Sequence, residues 1–109
     1  KDIKIIAVEP TNSAVLSGQE PGSHKIQGIG AGFIPEIMDK SVIDEIITVE
    51  SEEAFDYTKE LVNKEGLFTG ISSGANVAAA LKAAKEYENK KIVTVSPDSG
   101  WKYLSIIDY

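Results

Sequence analysis

Two adjacent serines, Ser72 and Ser73, lie between a short apolar run and an alanine-rich stretch in "TGISSGANVAAALKAA". The alanine-rich stretch predicts a helix from about residue 73 to residue 87. Because a helix needs one N-cap, we expect Ser73 to cap it. Ser72 would then stand at the positive end of the helix dipole, where its hydroxyl suits a neutral ring nitrogen or an anion. The alternative is a capped helix with a spare serine.

A second candidate for chemistry is the glycine-rich segment "QGIGAGF", in which Gly28, Gly30 and Gly32 are spaced G-x-G-x-G. A dinucleotide-binding fingerprint needs G-x-G-x-x-G between a strand and a helix, and the P-loop needs a Lys and a Ser or Thr. Neither pattern is present here, so the segment does not predict a nucleotide site. Two interpretations remain open, a loop that approaches a ligand closely and a loop that only packs tightly.

The composition narrows the classes of function. The chain has 109 residues, a formal net charge of −6, no cysteine and one histidine. These counts exclude a disulfide framework and a thiolate metal site, and we expect no metal site. Nucleic acid is not an expected partner, because no Lys/Arg cluster is present. No apolar run is long enough to span a bilayer, so we expect no membrane partner, and a chain without cysteine suits the reducing cytoplasm.

The predicted secondary structure alternates between strands and helices. Strands are predicted at residues 3–8, 43–49 and 92–95. One helix is predicted to begin at Ser51 as its N-cap and to end at Gly66, and short helical segments are predicted within residues 36–44 and 100–107. Because the strands are apolar on both faces, the pattern predicts an α/β fold, a parallel sheet covered by helices.

Three polar, glycine-containing segments follow the predicted elements, at residues 10–35, 70–76 and 96–103. In open α/β sheets, ligands bind beyond the carboxyl ends of the strands. We therefore expect these three segments to meet at one edge of the sheet and to form the site.

The motifs "HKIQGIGAGFIP", "GISSGAN" and "PDSG", the last followed by "KYLS", occur in this order along the chain. In these motifs the chain resembles cysteine synthases (O-acetylserine sulfhydrylases), pyridoxal 5′-phosphate enzymes of the tryptophan-synthase-β type, also called fold-type II. The resemblance covers nearly the whole chain. It implies that residues 1–109 are a single partial domain, the C-terminal portion of the large domain that binds the cofactor, and that the N-terminal part of the enzyme is absent from this sequence.

The resemblance also implies roles for particular residues. It places Ser72 against the pyridine nitrogen of the cofactor, and Pro97 and Asp98 beside the ring. The expected substrate and gate residues form one run: Gln27, Gly28, Ile29, Gly30 and Ala31. No catalytic residue is expected in this chain, because the lysine that forms the Schiff base belongs to the N-terminal part. The 109 residues by themselves are therefore expected to be inactive.

A serine at the ring nitrogen carries a chemical consequence. Many pyridoxal-phosphate enzymes place an aspartate there, which keeps the nitrogen protonated and makes the ring a strong electron sink. The Ser72 hydroxyl supplies no such charge, and the helix dipole opposes a cation. The ring would be a weaker sink, which suits β-elimination followed by addition of a nucleophile and disfavours transamination.

The resemblance implies a whole enzyme that converts O-acetyl-L-serine and sulfide to L-cysteine and acetate. It further implies a homodimer and a complex with the C-terminal tail of serine acetyltransferase. Two alternatives remain open. One is a sibling β-replacement enzyme, similar to cystathionine β-synthase or forming hydrogen sulfide or lanthionine. The other is a non-catalytic nucleotide-binding module, whose fingerprint loop the sequence lacks.

Overall fold

A computed structural model describes residues 2–109, which form a parallel sheet packed against two helices. Strands β1 (Ile6–Pro10) and β2 (Glu45–Val49) pair in parallel, with Ile6 opposite Glu45 and Pro10 opposite Val49. The helices are α1 (Ser51–Glu65) and α2 (Ile71–Glu86). Single 3₁₀ turns lie at Thr11–Ser13, Val15–Ser17, Lys40–Val42 and Gly100–Tyr103. The predicted α/β class is confirmed.

The core lies where the sheet, α1 and α2 meet. Its largest fully buried apolar side chains are Ile26, Val49 and Ile71, each with no exposed surface. Ile26 directly precedes the glycine-rich segment, which is therefore anchored in the core on its N-terminal side. Alanines fill most of the α2 face, so the helix can lie close to its neighbours.

Helix α1 ends as the sequence predicts and begins differently. Gly66 adopts the left-handed conformation at φ 70°, and its N–H donates to the Val62 carbonyl. The expectation that Ser51 is the N-cap is wrong. Glu50 occupies that position, and its N–H donates to Glu53 Oε1 at 3.2 Å. The Ser51 hydroxyl is used elsewhere and accepts the Lys25 N–H at 3.1 Å.

Helix α2 begins two residues earlier than predicted, so the expectation that Ser73 is its N-cap is also wrong. The N-cap is Gly70, whose N–H donates to the Asp98 carbonyl at 3.1 Å. Ser72 and Ser73 both lie inside the first turn. The earlier start buries Ile71 completely, and this packing outweighs the local preference of serine for the cap.

Helices α1 and α2 approach closely at Gly74. A Cβ atom at this position would overlap Thr58 Oγ1 and the Ala54 carbonyl oxygen on α1. Thr58 Oγ1 donates to that carbonyl at 2.6 Å, so the buried hydroxyl is satisfied within its own helix. The glycine thus permits the crossing that fixes the direction of α2.

The predicted strand at residues 92–95 is not formed in the described structure. Val93 is 90% exposed and Val95 66% exposed, although the apolar run had predicted burial. Within residues 2–109 no strand pairs with this segment, so its backbone lacks the ladder bonds that define a strand. One tether holds it to α2, where Asn76 Nδ2 donates to the Val95 carbonyl at 2.8 Å.

Candidate functional site

The glycine-rich segment meets the first turn of α2, as the sequence predicts. A Cβ atom built on Gly28 would lie 3.7 Å from Ser72 Oγ. Gly28 has φ of +99°, a conformation that residues with side chains rarely adopt. The bare backbone at Gly28 therefore borders the Ser72 hydroxyl.

Asp98 lies over the same helix start. Its Oδ1 accepts from Ser72 Oγ at 3.4 Å. A side chain on Gly70 would overlap both the Asp98 carboxyl group and the Tyr103 ring, so the N-cap glycine makes room for them. A carboxylate at a helix N-terminus interacts favourably with the helix dipole, which stabilises Asp98 in this position.

Tyr103 completes this group from the other side of the carboxylate. Its hydroxyl donates to Asp98 Oδ2 at 2.5 Å, and its side chain is buried. The hydrogen bond to Asp98, followed by burial and the negative charge of Asp98, raises the pKa of Tyr103 to about 12. The phenol therefore stays protonated at neutral pH and acts as a hydrogen-bond donor to Asp98.

Ser73 turns away from this group. Its hydroxyl lies 2.9 Å from that of Ser96, in the segment that precedes Asp98. The two serines of "SSG" thus have separate partners, and both are buried. The prediction that Ser73 caps the helix is wrong, since it makes a tertiary contact with Ser96 instead, and the prediction that Ser72 meets the cofactor ring stays a prediction.

His24 fixes the glycine-rich segment. The Ile26 N–H donates to His24 Nδ1 at 3.1 Å, so the ring proton lies on Nε2, which donates to the Gly30 carbonyl at 2.9 Å. A Cβ atom on Gly30 would overlap Pro10 and the His24 ring. The His24 ring therefore holds the segment through Gly30, and Gly30 itself lies close against Pro10 at the end of β1.

Among residues 2–109, the remaining predicted site residues form no hydrogen bond with the Ser72 side chain. Gln27, Ala31 and Pro97 are exposed, and Ile29 is half-buried against the core. Their assigned roles stay predictions.

Sequence reasoning missed both Tyr103 and His24. The signal for Tyr103 was its position in the quoted "KYLS" motif, and the signal for His24 was its being the single histidine, next to the glycines.

One buried polar atom near the site lacks a partner. Thr69 precedes Gly70 and is 7% exposed, and its Oγ1 forms no hydrogen bond with any residue from 2 to 109. A buried hydroxyl without a partner costs about 1–3 kcal/mol. A polar group beyond the described residues would remove that cost.

Within the described part of the chain, no three acidic or imidazole side chains converge as metal ligands would. No helix among residues 2–109 has the length and apolar character needed to cross a membrane.

Comparison with known families decides the broad assignment. The model of the family "Pyridoxal-phosphate dependent enzyme" matches residues 1–98. The chain belongs to this family.

Three relatives show which enzymes of this pyridoxal-phosphate family the chain is similar to. A cysteine synthase from Buchnera aphidicola subsp. Schizaphis graminum is 57% identical over 113 residues, covering 96% of this chain and 35% of the relative. The crystal structure of the Entamoeba histolytica cysteine synthase superimposes with a TM-score of 0.94 at 50% identity, covering 97% of this chain and 32% of that one. A hydrogen sulfide-producing enzyme from Fusobacterium nucleatum gives a TM-score of 0.88 at 48% identity, covering 94% and 36%. The chain spans about a third of the length of these relatives.

The residues present fit one part of pyridoxal phosphate, the edge of the pyridine ring that carries the nitrogen. Ser72 offers a neutral hydroxyl, and a side chain at Gly28 would fill the space beside it. The hydrogen bond from Ser72 to Asp98 is long and therefore weak, so the Ser72 hydroxyl can donate its proton to another acceptor instead. A hydroxyl suits an aromatic nitrogen as either donor or acceptor.

Proposed function

We propose that the whole protein is a pyridoxal-phosphate-dependent cysteine synthase that converts O-acetyl-L-serine and sulfide to L-cysteine and acetate. One observation carries the proposal. The three motifs shared with cysteine synthases converge at the start of α2, where Ser72 lies between Gly28 and Asp98. The cofactor's phosphate site and its lysine would come from outside these residues.

Pyridoxal phosphate, when bound, withdraws electrons from the α-carbon of an amino-acid substrate. Ser72 would hold the ring nitrogen through a neutral hydrogen bond. Gly28, lacking a side chain, would leave the space beside that bond open to the ring. The His24 ring would hold the glycine-rich segment in place through Gly30. The weak electron withdrawal that a serine permits favours loss of a β-substituent over transamination.

A sibling activity has a specific observation in its favour, the similarity to the Fusobacterium nucleatum hydrogen sulfide-producing enzyme. The two activities are separated by assaying the full-length protein with its cofactor. One assay supplies O-acetylserine with sulfide and measures cysteine, and the other supplies cysteine and measures sulfide. For a cysteine synthase, kcat/KM for O-acetylserine exceeds that for cysteine by at least about tenfold. The reverse ratio would reassign the protein to the sibling activity.

The same proposal extends to assembly and location. We propose a cytoplasmic homodimer that binds the C-terminal tail of serine acetyltransferase, on the strength of the resemblance to cysteine synthases. Size-exclusion chromatography with light scattering measures the oligomeric state of the full-length protein. Titration with a synthetic peptide from that tail, compared with a scrambled peptide, tests the partner. A monomeric protein that binds neither peptide would contradict the proposed homodimer and the proposed partner.

A further inference from the structure

We propose that Tyr103 is a positioning residue that holds the Asp98 carboxylate so that the Ser72 hydroxyl proton stays available to the ring nitrogen of the cofactor. The proposal rests on the proposed function, because it takes the ligand of Ser72 to be a pyridine ring. It concerns the orientation of one hydroxyl group and the two side chains that set it.

The two oxygens of Asp98 are bound unequally. Oδ2 accepts from the Tyr103 hydroxyl at 2.5 Å, whereas Oδ1 accepts from Ser72 Oγ at 3.4 Å. Hydrogen bonds between oxygens normally measure about 2.5–3.0 Å, so the first bond is short and the second lies beyond the usual range. Tyr103 therefore holds the carboxylate, and Ser72 is bound to it only weakly.

The direction of the Ser72 proton decides what the serine can do. A hydroxyl has one proton to donate and lone pairs that accept. If Ser72 gives its proton to Asp98, only the lone pairs face the ligand, and they favour a protonated ring nitrogen. If the proton is kept for the ligand, Ser72 donates to a neutral nitrogen. The hold of Tyr103 on Asp98 selects the second case.

The surroundings of Ser72 and Tyr103 keep this hydrogen-bond arrangement in place. Tyr103 is 3% exposed and Ser72 2% exposed, so water does not compete for either hydroxyl. Gly70 has no side chain to push the carboxylate aside, and the space a Cβ atom would take is filled by Asp98 and the Tyr103 ring. The raised pKa of Tyr103 keeps the phenol protonated as a donor throughout the neutral range.

The test uses the full-length protein loaded with pyridoxal phosphate labelled with ¹⁵N in the ring, whose ¹⁵N chemical shift distinguishes a neutral from a protonated nitrogen. Tyr103→Phe keeps the buried ring and removes the hydroxyl. We expect the signal to move upfield, toward the value of a protonated pyridine. Tyr109→Phe is the matched control, since its hydroxyl donates to the Thr69 carbonyl at 2.8 Å and not to Asp98. It should keep the wild-type signal.

A double-variant cycle separates this role from simple packing. Asp98→Asn in the Tyr103→Phe background should return the signal to the wild-type position, because the competing carboxylate is gone. Asp98→Asn alone should leave the signal where it is, because in the wild type the carboxylate is bound by Tyr103 and does not take the Ser72 proton. An unmoved signal in Tyr103→Phe, or no return in the double variant, would overturn the proposal. If Tyr103→Phe fails to fold, a signal that moves in Asp98→Asn alone overturns it equally.

The same samples separate this proposal from the proposed function. A protein that makes no cysteine from O-acetylserine, but whose ring-nitrogen signal is neutral and moves in Tyr103→Phe, would reject the function and support the role of Tyr103. A protonated nitrogen in an active cysteine synthase would reject the role of Tyr103 and leave the function standing. A protein that binds no pyridoxal phosphate would overturn both.

Discussion

The two long helices begin in opposite ways. Helix α1 closes its own N-terminus, since Glu50 is the N-cap and its N–H is bound by Glu53 three residues on. Helix α2 begins at Gly70, which has no side chain, and the hydroxyls of its first turn reach other segments. Ser72 reaches Asp98 and Ser73 reaches Ser96.

This difference indicates where a ligand can bind. The N-cap and N3 residues of α1 bind each other's backbone N–H groups, so these two donors are not available to a ligand. The start of α2 depends on tertiary partners, so a ligand can take the place of one of them. The sequences at the starts of α1 and α2 are similar in kind, because each places small or acidic residues before an apolar helical face. The experiments below ask whether the difference is one of function or only of packing.

The largest effect is expected at Gly28, beside the open helix start. Gly28→Val in the full-length enzyme should lower kcat/KM for O-acetylserine about a hundredfold, because the side chain would displace whatever meets Ser72. Gly32→Val is the matched control. Gly32 also has a positive φ and an equally open Cβ position, yet its neighbour is Pro21. Both variants should lose about 1–2 kcal/mol of stability through backbone strain. Equal loss of activity in the two would favour a loop that only packs tightly.

The next effect concerns the charge at Ser72. Ser72→Asp would place a carboxylate at the ring nitrogen, favour its protonated form and lower the β-elimination rate about tenfold. Ser72→Ala would lose one neutral hydrogen bond, about 1 kcal/mol, and weaken cofactor affinity about fivefold. Cofactor titration and single-turnover rates of the full-length variants measure both. Wild-type elimination by Ser72→Asp would show that this hydroxyl does not meet the ring.

Features that depend on local interactions could be predicted from the sequence, and features that depend on tertiary contacts could not. The end of α1 was predictable, because Gly66 satisfies a local backbone requirement. The starts of both helices were not, because the burial of Ile71 and the contact between Gly70 and Asp98 are tertiary and outweigh local capping preference. The prediction of a strand at residues 92–95 was wrong for a related reason. An apolar run indicates burial, but it does not show whether a partner strand lies beside it.

The site divides in the same way. The meeting of Gly28, Ser72 and Asp98 was predicted on the premise that segments following parallel strands gather at one edge of the sheet, although the strand expected before Asp98 is not formed within residues 2–109. The bond from Tyr103 to Asp98 was not predictable. It joins residues five positions apart across a 3₁₀ turn, where no helical or strand periodicity points from one to the other.

A smaller effect compares first-turn serines at the two helix starts. Ser73→Ala should lower the free energy of unfolding by about 1 kcal/mol, because it removes the hydrogen bond that the buried Ser73 hydroxyl makes with Ser96. Ser51→Ala should cost about half as much, since the Lys25 N–H it would abandon is exposed and can bind water. Urea melts measure the difference, and elimination rates should be unchanged in both. Loss of elimination in Ser73→Ala would mean that the roles of Ser72 and Ser73 are reversed.

The smallest effect tests whether the closed start of α1 is purely structural. Partial burial raises the pKa of Glu53, but the hydrogen bond from Lys82 at 3.0 Å and the Glu50 N–H outweigh it and lower the pKa overall. A carboxyl group with a lowered folded-state pKa stabilises the fold above its unfolded pKa, and this stability is lost as the pH falls through the folded value. Both side chains are about a third or more exposed, so solvent limits the contribution to about 0.5 kcal/mol.

Glu53→Gln should therefore destabilise the protein by about 0.5 kcal/mol at neutral pH and by nothing measurable near pH 3. Glu52→Gln is the control, because it removes the same charge from the same turn and leaves the pair between Lys82 and Glu53 intact. Cofactor binding and elimination should not change in either variant. A change at Glu53 has two routes to the ligand, through Lys82 on α2 and through Ser51, whose hydroxyl accepts the Lys25 N–H next to the core residue Ile26. An altered elimination rate in Glu53→Gln would show that the two helix starts are not independent.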